Sequence, residues 1–214
     1  MCARPIDEPG GPLPSERTAP LVTIASEHGA GGDLVAPRAA DALGVPFLDR
    51  ALPPDPEQQR PRGVIGSLAR ASTMLAGEPL ERLDVAEGRV RSQLAEFLAG
   101  AATTGGVVLG HGGVVAVADA PTVLHVLLSG SRDGRVARVA DRYGVTRDEA
   151  KRRVRGRDLA RREYVRRAFG IDPDDRTLYH LIIDTVALGV DAAVELIVAA
   201  ARVRTRTMPA TERS

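Results

Sequence analysis

The chain has 214 residues with a net charge of +1, and its 43% hydrophobic and 27% charged content excludes a disordered or fibrous class. No apolar run approaches the roughly 20 residues of a membrane-spanning helix. The first twenty residues, with five prolines and no apolar stretch, do not read as a secretory signal. The single cysteine, Cys2, excludes a disulfide framework and a cysteine-built metal site, so a cytoplasmic protein is expected.

Residues 1–20 read as a disordered arm. Leu21-Val22-Thr23-Ile24-Ala25 is a short β-branched run, the pattern of a buried parallel strand. It leads into Ser26-Glu27-His28-Gly29-Ala30-Gly31-Gly32 and an apolar-periodic stretch through Leu43, which predicts strand, glycine loop and helix. Asp33 is suited to cap that helix and Gly44 to close it. Val45-Pro46-Phe47-Leu48 is a second strand, ending at Asp49-Arg50, and 53–62 is a polar, proline-rich loop. Helices are predicted over about 64–76 and 84–102. Val107–Leu109, Val123–Leu128 and Leu181–Ile183 are further strands, the last ending at Asp184-Thr185, and a closing helix runs from Asp191 to about Val203. Strands alternating with helices predict a parallel α/β sheet, whose functional residues gather at the carboxyl ends of the strands.

Glycines at 29, 31 and 32 before a helix make a loop whose amides and helix dipole suit an anion, although a simple tight turn has the same composition. The full phosphate-loop consensus ends in Gly-Lys-Ser/Thr. Set on Gly32, it meets Asp33 and Leu34, so neither the cation nor the metal-binding hydroxyl is present.

Between the last two strands lies an arginine-rich segment. Residues 132–167 hold fourteen basic residues against six acidic ones, and 28 of the chain's 29 basic residues are arginine. Arg132, Arg135 and Arg138 lie three apart; Thr146 and Glu149 form a capping box before a second helix bearing Arg153, Arg157 and Arg161 on one stripe. Such helices are solvated basic surfaces, nucleic-acid contacts, or a lid whose arginines close on phosphate. With three Tyr, three Phe and no Trp, stacking on bases is disfavoured, and the insertion between two strands favours a lid over about 130–170.

The combination resembles the cytidylate-kinase-like proteins of the nucleoside monophosphate kinase group. Thr23 to Gly32 looks like that family's Ser-Arg-Glu-Tyr-Gly-Ser-Gly-Gly loop, and Gly44-Val45-Pro46-Phe47-Leu48-Asp49-Arg50 like its Gly-Ile-Pro-Phe-Tyr-Asp-Arg segment. Val108-Leu109-Gly110-His111-Gly112 looks like its Ile-Ile-Gly-Arg-Gly, and Asp158-Leu159-Ala160-Arg161 like its Asp-x-x-Arg signature. The resemblance implies a P-loop NTPase-type parallel sheet of about five strands covered by helices. It implies a nucleotide-kinase-like domain over 21–203, before a tail at 204–214. Gly29, Ala30, Gly31, Gly32, Asp33 and Arg138 would hold ATP. Asp49, Arg50 and His111 would lie near the acceptor. Arg135, Arg157, Asp158 and Arg161 would be catalytic. The implied reaction moves the γ-phosphoryl of ATP, with Mg²⁺, to a nucleoside monophosphate such as CMP. The departures are Ala25 and Ser26 for the family loop's serine and arginine, His28 for its tyrosine and His111 for its Gly-Arg-Gly arginine. Gly32, Leu34 and His111 leave open a non-catalytic nucleotide binder on the same fold. His28 and His111 are not expected to bind metal, membrane and nucleic-acid partners are not expected, and the oligomeric state is open.

Overall fold

The computed structural model describes residues 19–49, 101, 104–110, 112–116 and 122–206. The arm to residue 18, Arg50, the polar loop, the helix expected at about 64–76, all of the one at about 84–102 but Ala101, His111 and the tail from 207 lie outside the described residues.

Five strands form one parallel sheet: β1 (Leu21–Ser26), β2 (Phe47–Asp49), β3 (Gly106–Leu109), β4 (Val123–Ser129) and β5 (Leu181–Asp184), in the order β2-β3-β1-β4-β5. Strand β1 sits between β3 and β4, with Leu21 opposite both Gly106 and Val123. Burial on both faces explains its unbroken apolar run. Strand β2 starts two residues later than expected, because Pro46 has no amide to donate, although its carbonyl accepts the Val107 amide at 2.9 Å.

One face of the sheet, carrying Val22, Ile24, Val126 and Leu128, packs on helix α1 (Gly32–Leu43) and on α5 (Thr185–Arg206). Ala36, Ala39 and Ala40 on α1 are small enough to bring the helix close to the strands. On the opposite face Ala25 and Leu127 meet Tyr179. A one-turn helix α2 (Gly113–Ala116) follows β3. Between β4 and β5 come α3 (Arg132–Tyr143) and α4 (Arg147–Phe169), packed together through Val136, Val139, Ala150 and Val154. The Thr146 hydroxyl caps α4 through the Glu149 amide at 3.3 Å, as the capping box predicts.

One local expectation is corrected. Asp33 does not cap α1: the cap is Gly31, in the left-handed conformation and without a side-chain bond, and Asp33 turns outward to pair with Arg142 of α3. The closing helix expected from Asp191 is present: Gly189, at φ 87° and ψ 171°, is non-helical, and the long run to Arg206 follows it. A short helical turn from Thr185 precedes that kink, capped by the Asp184 carboxylate, which accepts the Val186 and Ala187 amides at 2.9 Å. No described helix is long and apolar enough to cross a membrane.

Candidate functional site

The loop from Glu27 to Gly31 joins β1 to α1 at the carboxyl edge of the sheet. Gly29 and Gly31 have φ of 85° and 79°, which disfavours any residue with a Cβ. At Gly29 a Cβ would stand 2.7 Å from the Arg135 carbonyl oxygen, so α3 lies directly on the loop. At Gly32 it would stand 2.7 Å from Ser26 Cβ, leaving no room for a longer side chain. The Ala30 amide donates to Glu27 O at 3.0 Å and the Glu27 amide to Leu128 O at 3.0 Å. The amides of Gly29, Gly31 and Gly32 have no hydrogen-bond partner among the described residues. Together with the start of α1 they form an anion-receptive turn.

Helices α3 and α4 tie onto this loop through one buried arginine. Arg135 donates from Nη1 to His28 O at 2.9 Å and to Asp158 Oδ2 at 2.8 Å, and from Nε to Gly130 O at 3.1 Å. Its Nε also lies 3.2 Å from Glu27 Oε2, which accepts the Ser129 hydroxyl at 2.9 Å. The second oxygen of Asp158 accepts the His28 amide at 3.1 Å. Two carboxylates therefore neutralise Arg135, and Asp158 bridges α4 to the loop backbone.

Arg138, one turn further along α3, is placed differently. Its Nη1 donates to the Thr185 hydroxyl at 3.1 Å, its Nη2 to the Thr185 carbonyl, and it faces no carboxylate among the described residues. Nη1 lies 3.8 Å from where a Cβ on Gly31 would stand. The Thr185 hydroxyl donates to Ala30 O at 2.7 Å. Among the described residues at the loop, Arg138 is an arginine that faces no carboxylate.

Arg161 is held by a different partner. It is 3% exposed, pairs with Asp174 in the connection from α4 to β5, and leaves Nε and Nη1 without a hydrogen-bond partner among the described residues. Asp174 also accepts from Arg162 at 3.2 Å. Nearby, the Tyr179 hydroxyl donates to Pro173 O at 2.9 Å, and burial pushes its phenol pKa up. Arg157 is half-buried on α4, beside Asp158. Of the expected acceptor side, Asp49 ends β2, while its side chain, Arg50 and His111 lie outside the described residues. Glu27, Ser129 and Thr185 join these residues, and all three stand at the carboxyl ends of strands, where the residue order placed the functional positions of a parallel sheet.

Two other histidines stack on each other, His125 buried and His180 exposed. His125 and His180 lie 4.9 Å apart between ring centres, and His125 Nδ1 is 2.7 Å from the Thr23 hydroxyl. Burial first, then His180 and Arg204, lower the His125 pKa to about 4.

Residues 57–187, more than half of the chain, match the model of the cytidylate kinase-like family. The chain belongs to the cytidylate kinase-like family. A cytidylate kinase of Aeropyrum pernix is 28% identical over 182 residues, 85% of this chain and 98% of that protein. One of Methanopyrus kandleri is 32% identical over 77 residues, which are 36% of this chain and only 40% of the relative. A crystal structure of an uncharacterized protein from Eubacterium ventriosum superposes with a TM-score of 0.64 at 19% identity, covering 85% of this chain and 98% of the other. That likeness is one of fold. Family membership makes this a nucleotide-binding, kinase-like protein, and the parallel sheet with β1 at its centre is the arrangement the resemblance implied.

Proposed function

We propose that this chain binds ATP at the glycine loop and transfers its γ-phosphoryl group to a nucleoside monophosphate such as CMP. The observation that carries this is the pairing of the open amides at Gly29, Gly31 and Gly32 with Arg138, which lies beside Gly31 and faces no carboxylate among the described residues. The arginine fork offers phosphate oxygens the charge that the absent loop lysine would otherwise supply. In-line phosphoryl transfer asks mainly for positioning and charge neutralisation, so a well-held arginine matches the demand.

No group of three or more His, Cys, Asp or Glu side chains converges among the described residues. The Mg²⁺ that the resemblance implies would travel on the nucleotide's phosphates, the usual mode for an ion that keeps its own water, and would neutralise charge on the transferring group. Glu27 and Asp158 hold Arg135 and the His28 backbone in register, tying α3 and α4 to the loop. Asp49, Arg50 and His111 belong to the acceptor side, and Arg157 and Arg161 to closure over the phosphates.

The second reading is a catalytically silent nucleotide binder in the cytoplasm. It is favoured by the absence of room for a side chain at Gly32 and by the engagement of Arg135 with two carboxylates. Calorimetry of ATP with and without Mg²⁺, followed by coupled ADP release over a panel of nucleoside monophosphates, separates the two. Turnover with one acceptor, lost in Arg138→Ala, is the expected result. Binding without turnover selects the silent form, and no binding of any nucleotide refutes both.

A further inference from the structure

We infer that Thr185 is a positioning residue of the phosphate site, acting through Arg138. The inference rests on the nucleotide-binding reading above and identifies what holds its key cation.

Thr185 is wholly buried, at the point where β5 passes into α5. Its hydroxyl has one proton. The nearer acceptor is Ala30 O at 2.7 Å, with Ser129 O at 3.3 Å, so the proton goes to the glycine loop and a lone pair is left for Arg138 Nη1. The Thr185 carbonyl takes Nη2 of the same guanidinium. Both arms of the fork thus close on one residue, and the hydroxyl links that fork to the loop whose amides face the phosphates.

Two further contacts make the clamp rigid. The Asp184 carboxylate caps α5 through the Val186 and Ala187 amides, holding the Thr185 backbone in place. Gly134, one turn before Arg138 on α3, lies so close to Val186 that a Cβ there would approach it to 2.2 Å. Helix α3 is therefore seated directly on the start of α5. An arginine held in this way has lost its rotamer freedom before any ligand arrives, and less affinity is spent on ordering it. The nonpolar isostere, valine, keeps the shape of the side chain but releases one arm of the fork and the tie to Ala30.

The test measures binding of ATP, and of inorganic tripolyphosphate as a probe without a base, by calorimetry. Thr185→Val is expected to weaken both by about tenfold, while Thr185→Ser, which keeps the hydroxyl, stays within about twofold of the original. In an Arg138→Ala background, Thr185→Val is expected to cost nothing further, because the two residues act as a unit. Unchanged affinity in Thr185→Val, or an equal loss in both backgrounds, overturns the inference. Should the valine variant fail to fold, Arg138→Lys decides, since one ammonium cannot fork onto both oxygens: about tenfold weaker binding supports the clamp and undiminished binding refutes it. If the original chain binds neither probe, the nucleotide reading falls and the inference with it. Intact binding with additive losses removes the positioning role alone.

Discussion

Replacing Asp158 by alanine perturbs the contact that joins α4 to the glycine loop. The carboxylate makes two hydrogen bonds, at 2.8 Å to Arg135 and at 3.1 Å to the His28 amide, and only 15% of its side chain is exposed. Each bond to a charged group contributes about 1.5–3 kcal/mol, but Arg135, itself 7% exposed, keeps Glu27 at 3.2 Å and so is not left as a bare buried charge. The net loss should therefore fall at about 2–4 kcal/mol, below the sum of the two bonds. In a domain of this size that lowers Tm by roughly 5–12 °C. Urea unfolding followed by circular dichroism measures it, with Arg135→Met and the double variant closing a cycle whose coupling should exceed about 1 kcal/mol. A loss below about 0.5 kcal/mol, or additive single effects, would refute the view that Asp158 and Arg135 act as one latch.

Gly29→Ala combines left-handed backbone, at about 1–2 kcal/mol, with a 2.7 Å approach to the backbone of α3; a loss of at least about 2 kcal/mol is expected in urea, together with weaker ATP binding. A neutral result would mean that α3 is free to move off the loop. Acid should destabilise the fold through His125: the unfolded chain takes up its proton below about pH 6.5, the folded one only near pH 4, so stability falls as pH drops through that window. The expected decline is about 2 kcal/mol between pH 7 and pH 4.5, and His125→Asn should flatten it; an unaltered slope in that variant would sink the assignment. Thr146→Ala should cost about 1 kcal/mol through the lost cap on α4, read as a shift in the urea midpoint without a change in m.

Much of the scaffold was legible in residue order. The β-branched run at 21–25, the glycines before an apolar-periodic stretch, Gly44 as a helix end and Thr146 with Glu149 as a helix start all came out in place, because each depends on neighbours a few residues away. The same chain order, matched to a family, carried the nucleotide-kinase reading. The partners of the charges were decided only in three dimensions. Local chemistry marked Asp33 as a cap, yet α3 brings Arg142 to it and turns it outward. Arg161 carries a lid signature in sequence, yet its carboxylate partner, Asp174, comes from the connection to β5. Arg135 and Arg138 are equivalent members of one arginine repeat, but packing of α3 across the strand ends gives the first two carboxylates and the second the Thr185 oxygens. Glu27 lies more than a hundred residues from Arg135, and Ala30 more than a hundred and fifty from Thr185. No periodicity spans such separations, so backbone propensity placed the loop and the helices, while tertiary packing chose which arginine meets carboxylates and which meets the Thr185 oxygens.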